Sequence, residues 1–309
     1  MNRISGIARR VWLYIFLLLA ISYAVHYSFG QAGRLEQPLH FSRPFGIVVI
    51  AVQLLFWLTY SLLWKRLLVR VSATNFTLWE CFRQQNLLTL GKYLPGKIWG
   101  MVARGATLAE NGVTVAGAVV ATCTEQTLVL HSAFLVSAIL FASLQPSLPT
   151  AALAIVSILT LAFGAQLLRI AFRFYLRMTK PSAEIMSAQK IELISSTTYL
   201  KFALGHSVGW IVNGLLFASI YHTFFDATPS IQLLGIVILA NTVGVTLGFL
   251  AIFAPGGIGV REVVTSGLLT LVMPLDDAVM LAVLFRLWLL LTDIIVGGLV
   301  LVGNRKKSP

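Results

Sequence analysis

Seven apolar runs, each about long enough to cross a bilayer, dictate what this chain can become. They lie at 11–29, 44–64, 113–143, 149–171, 199–223, 230–253 and 278–302. Roughly 20 apolar residues in a helix cover the ~30 Å hydrocarbon layer. Backbone polar groups in lipid must be satisfied within the segment, which leaves helices or closed barrels, and runs of this length are helices. Only 11% of the residues are charged and mean hydropathy is +0.86, against about 25% charged residues in a soluble domain. The chain is therefore read as an all-α polytopic membrane bundle, a single transmembrane domain over 1–309 with no soluble domain. The net charge of +12 does not point to nucleic acid, because the basic residues form short clusters between apolar runs, as the positive-inside rule produces. The two cysteines, Cys81 and Cys123, have neither disulfide nor zinc spacing.

Lysine and arginine in the short loops orient the spans. Arg3, Arg9 and Arg10 put the N-terminus on the cytoplasmic side, and the run 11–29 is read as a retained span rather than a signal peptide. Lys65, Arg66 and Arg70, then Arg169, Arg173, Arg177 and Lys180, mark later cytoplasmic ends. Residues 181–197 read as a surface helix, and Arg305, Lys306 and Lys307 place the C-terminus inside. Shorter apolar stretches at 78–90, 98–109 and 259–273 fit no full crossing: 15 helical residues span only about 22 Å. Parity then predicts two re-entrant hairpins, about 78–109 open to the cytoplasm and 230–273 open outside. Their breaks, GKYLPGKIWGMVAR (Gly91–Arg104) and APGGIGVRE (Ala254–Glu262), share Pro-Gly, one residue, Ile and a following Arg. Opposed broken hairpins with related tips read as an inverted repeat, the arrangement that surrounds the substrate in secondary transporters. The alternative is a first stretch lying flat on the membrane and a fortuitous echo.

Ionisable residues inside the apolar runs are the candidate site. Lys92, Lys97 and Arg104 line the first break, as a cargo surface or as side chains reaching the headgroups. Gly256 and Gly257 free the second break from steric limits. Arg261 and Glu262 open the helix that follows, where N–H groups attract an anion. Arg261 there needs a negative partner, either a bound phosphate or a carboxylate. Glu125 stands near mid-membrane on a small polar face with Ala118, Thr122 and Ser132; an ion there is costly and points to function, or to a pair with Arg104 or Arg261. His206, Arg286 and Asp293 are further embedded groups with a coupling or structural role. Arg286 and Asp293 stand two turns apart and each is expected to meet another segment. Asn241, Thr242 and Thr246 form a polar stripe. No nucleotide-binding, hydrolase or metal motif is present, so no enzyme activity, cofactor or metal is expected.

On GKYLPGKIWGMVAR, Glu125 and PGGIGVRE, the chain resembles the flippase-like transmembrane family of lysylphosphatidylglycerol synthases, the membrane half of the multiple peptide resistance factor and its stand-alone relatives. The resemblance covers nearly the whole chain. It implies translocation of a lipid with a polar headgroup: a phospholipid, a glycolipid or a polyprenyl-phosphate intermediate. It implies no synthase activity, because no aminoacyl-transfer domain follows. A small-anion transporter and a non-transporting scaffold of envelope-glycan assembly are the other classes. Membrane lipid is the expected partner, with a homo-oligomer or an envelope-biosynthesis protein beside it.

Overall fold

The computed structural model describes residues 43–72, 74–93, 98–179, 194–225, 230–251 and 254–305. Span 11–29, loop 30–43 up to residue 42, Pro95, Lys97, most of the 181–197 segment, Asp226 and the last four residues lie outside them. The described residues are helical, with no strand among them: α1 (Arg43–Ser72), α2 (Leu78–Gly91), α3 (Trp99–Glu110), α4 (Val115–Leu144), α5 (Leu148–Thr179), α6 (Ser196–Phe225), α7 (Ile231–Leu250), α8 (Val260–Leu269) and α9 (Leu275–Arg305), with a 3-10 turn at Pro255–Gly257. Six are long and apolar enough to cross a membrane: 46–72, 115–144, 148–174, 196–225, 231–250 and 275–300. They correspond to six of the seven apolar runs.

Local chemistry sets the helix starts. Thr77 and Glu80 form a reciprocal capping box before α2, Thr77 N–H donating to Glu80 Oε2 at 2.8 Å and Glu80 N–H to Thr77 Oγ1 at 3.2 Å. Thr114 caps α4 by accepting from Gly117 N–H at 3.2 Å, and Ser230 caps α7 by accepting from Leu233 N–H at 3.1 Å. On α1, Ile47, Ile50, Leu54, Leu58 and Leu62 form an exposed apolar stripe, whereas Trp64, Leu67, Leu68 and Val71 are buried. In water such a stripe would be a liability; against lipid it is the expected surface.

The chain divides into two compact units, one of residues 1–50, 89–100 and 214–309, the other of residues 51–88 and 101–213. In the latter, Trp64, Leu67, Leu68, Leu108, Leu128 and Tyr199 belong to one buried cluster. In the former, α7 carries Gly244 and Gly248 one turn apart, a Gly-x-x-x-Gly face. A Cβ at Gly244 would stand 2.2 Å from Thr265 Oγ1, and one at Gly248 would stand 3.2 Å from the Arg261 Cβ. Small residues let helices approach closely in lipid, where van der Waals contact rather than water exclusion drives packing. This face seats α8, and with it Arg261.

Candidate functional site

In the unit that contains α7, α8 and α9, the two sequence breaks come together. Gly91 ends α2, and its ideal Cβ would fall 2.0 Å from the Gly100 backbone nitrogen, so the two ends of the first break touch backbone to backbone. Beyond Gly91 the chain places Lys92 and Tyr93 against the second break. Gly256 N–H donates to the Lys92 carbonyl at 2.8 Å. Gly256, Gly257 and Gly259 have φ of 60°, 74° and 83°, left-handed values that other residues adopt at a cost. At Gly256 space also forbids a side chain: a Cβ would come within 2.9 Å of both Arg286 Nη2 and Tyr93 Cδ1.

A charge network surrounds this junction. On α9, Asp293 Oδ2 accepts from Lys92 Nζ at 2.7 Å and from the Tyr93 hydroxyl at 2.8 Å. Two turns earlier, Arg286 Nη2 donates to the Gly256 carbonyl at 2.7 Å, and its Nε lies 3.3 Å from Glu262 Oε1. The Tyr93 ring sits between the two groups, 5.0 Å from Lys92 Nζ and 5.6 Å from the Arg286 guanidinium carbon. Glu262 Oε2 accepts from Gly259 N–H at 2.7 Å, which fixes the entry to α8.

Arg261 differs from its neighbours. Its side chain is buried in the first turn of α8, with Nη2 donating to the Asn241 side-chain oxygen at 3.2 Å and the guanidinium 5.4 Å from the Phe285 ring centre. Neither contact is with a carboxylate. Burial, and then the neighbouring charge of Arg286, lower its pKa to about 10, so it remains a cation at pH 7. The N-terminal end of α8 adds partial positive charge beside it. Lys92, Arg261 and Arg286 thus face two carboxylates, Glu262 and Asp293, leaving one cation in excess within the network.

The other unit holds Arg104 and Glu125 as a closed pair. Arg104 Nη1 donates to Glu125 Oε2 at 2.5 Å, Gln85 Nε2 donates to Glu125 Oε1 at 2.5 Å, and the guanidinium carbon lies 3.1 Å from the Trp64 ring centre. Trp64 Nε1 in turn donates to Gln84 at 2.6 Å. Both charged side chains are essentially inaccessible, at 0% and 2%. Of the two basic partners open to Glu125, the fold supplies Arg104. His206 is buried in the same unit, its ring centre 5.4 Å from that of Tyr60. Arg286 and Asp293 do not bond each other; each meets a different segment. Lys97 lies outside the described residues. Among the described residues there is no group of three His, Cys, Asp or Glu side chains able to hold a metal.

Three participants escape a reading by charge alone. Tyr93, Gln85 and Trp64 are uncharged, and only Tyr93 carries a signal, since it sits inside the GKYLPGK break. Neither a curated protein nor a solved structure matches the chain. The family model described as the lysylphosphatidylglycerol synthase TM region matches residues 7–297, and this membrane protein belongs to that family.

Proposed function

We propose that the protein is a flippase-like lipid translocase, moving an anionic or phosphate-bearing lipid or lipid-linked glycan headgroup between the leaflets of a bacterial or archaeal inner membrane. The observation that carries this reading is Arg261: a buried guanidinium with no hydrogen-bonded carboxylate, at a helix N-terminus, where two backbone breaks meet. A buried cation without a matching anion is costly, and a phosphate headgroup supplies the missing charge in hydrogen-bonding form. Family membership supports the same reading, because the family's name joins a membrane region to a charged lipid headgroup. We assign the headgroup contact to Arg261, Arg286, Lys92 and the Gly256–Gly257 backbone. The breaks would be the tips of the two re-entrant hairpins of an inverted repeat, with the acyl chains remaining in hydrocarbon. No covalent bond changes and no cofactor takes part in this reading; a homo-oligomer or an envelope-biosynthesis protein would be the assembly partner.

The test is headgroup translocation in proteoliposomes, followed with fluorescent phosphatidylglycerol and dithionite quenching. Arg261→Gln is expected to slow translocation by roughly tenfold or more, the worth of one charged hydrogen bond, with the fold retained. Uptake of phosphate without lipid exchange would favour the small-anion transporter. A scaffold is the reading favoured by the three ion pairs, Lys92–Asp293, Arg104–Glu125 and Arg286–Glu262, which close most embedded charges internally. A scaffold moves neither lipid nor phosphate in this assay.

A further inference from the structure

Glu262 is the feature of the network that the proposed headgroup contact leaves unexplained. Its two oxygens are treated differently by the fold. Oε2 is committed to the Gly259 N–H at 2.7 Å. Oε1 stands 3.3 Å from Arg286 Nε, yet it is buried and accepts no hydrogen bond. Arg286 itself is anchored elsewhere, through Nη2 to the Gly256 carbonyl, so its Nε edge holds position without Glu262. Beside it is Arg261, whose charge is felt by Arg286 and which bonds only an amide. Glu262 thus lies in the field of two buried guanidiniums, and its Oε1 approaches that of Arg286, at 3.3 Å and poorly aligned.

Resting on the reading of this junction as a headgroup site, we infer that Glu262 Oε1 is an internal stand-in for a phosphate oxygen, which bound phosphate displaces from Arg286. A phosphate has oxygens enough to satisfy both guanidiniums at once, in charge-assisted geometry that a single carboxylate oxygen at 3.3 Å does not reach. Displacement leaves the Gly259 cap in place, because that cap uses the other oxygen. Glu262 thereby keeps the junction from holding two unneutralised cations in the absence of phosphate, and cargo must compete with it to bind. The chemistry recognised is the phosphate group, whether it belongs to a lipid or is free in solution.

Binding to the purified full chain in nanodiscs of neutral lipid tests this, with inorganic phosphate and dihexanoyl phosphatidic acid as separate probes. Glu262→Gln keeps an acceptor for Gly259 and removes the competing charge. It is expected to tighten binding by roughly tenfold, one charged hydrogen bond's worth, whereas Arg261→Gln weakens it by a similar factor. Tightening with both probes assigns a site for phosphate from either source; tightening with phosphatidic acid alone assigns it to lipid. Unchanged or weaker binding by folded Glu262→Gln overturns the inference. A second readout uses the unaltered protein: carbodiimide labelling of Glu262, read by mass spectrometry, should rise when either probe saturates the site, and labelling that stays constant or falls overturns the inference even if the variant does not fold. Tighter binding without any lipid translocation would leave the stand-in intact and remove the translocase reading. Translocation with no effect of Glu262→Gln on binding would do the reverse.

Discussion

The Arg104–Glu125 pair allows the sharpest test of embedded charge in a structural role. Both side chains are sealed, and Arg104 Nε and Nη2 have no hydrogen-bond partner. Its guanidinium is therefore held by one carboxylate bond and by the face of Trp64, which is worth about 2 kcal/mol when desolvated. In Glu125→Gln the cation stays buried without a counter-charge, at an expected cost of about 3–5 kcal/mol. In Arg104→Met the Glu125 carboxylate keeps only the Gln85 amide, and a similar cost follows. Replacing both by methionine removes two desolvated charges together and is expected to fall within about 1 kcal/mol of the parent. The coupling between the two sites should then be about 5 kcal/mol or more. Neutral hydrogen bonds between membrane helices average only about 0.6 kcal/mol, so the two accounts are well separated. Equilibrium unfolding in mixed micelles provides the measurement. Single variants that each lose less than about 1 kcal/mol would refute the argument. Under the proposed translocase reading, a double methionine variant that moves lipid at the parent rate would mark the pair as a structural lock.

Other outcomes follow from the junction of the breaks. Gly91→Ala forces a Cβ into the Gly100 backbone and should cost about 1–3 kcal/mol or more. Gly105→Ala, within α3 and with open space at its Cβ, should gain up to about 1 kcal/mol from helix propensity; thermal midpoints of the two variants compare them directly. Gly257→Ala imposes a side chain at φ 74° and 2.9 Å from the Gly248 Cα, with an expected loss of about 1–3 kcal/mol in the same measurement. Tyr93→Phe removes one of two donors to Asp293 and should lower stability by about 1–2 kcal/mol, with Lys92→Met in the Tyr93→Phe background costing more than the sum of the two alone.

Six of the seven spans were legible because a crossing helix repeats one requirement for some 20 residues, and the short stretches 78–90 and 98–109 stood apart because they fail that requirement. Both stretches are helices, Leu78–Gly91 and Trp99–Glu110. The excess of embedded cations was visible for the same reason: few other polar residues compete for notice. Pairing was not legible. Asp293 takes Lys92 across 201 positions, and nothing local to either residue encodes the other. Glu125 could be matched with Arg104 or Arg261 on charge alone; the choice is made by packing, through Trp64 and Gln85. Tyr93 stayed hidden because a tyrosine near a bilayer is ordinarily an interfacial residue, and only its hydrogen bond to Asp293 gives it another role. Gly244 and Gly248 are an instance of a small-residue face whose consequence, the seating of Arg261, appears only once α8 is placed against it.

The bond from Lys92 to Asp293 also sets a schedule for biogenesis. Ribosomes add about 5–20 residues per second, so the 201 positions between the two residues correspond to about 10–40 s. Through that interval Lys92 and Tyr93 have entered the nascent chain without their acceptor, and for most of it the Gly256 N–H is also still to come. Arg104 waits for Glu125 across only 21 positions, about 1–4 s. The unit of residues 51–88 and 101–213 has all its parts by residue 213, whereas the other needs the stretch from 214 onward. The insertion machinery must therefore shelter an unpaired chain segment around Lys92 while the second half of the protein is made. A chain arrested before Asp293 would expose that lysine to the quality-control proteases of the membrane.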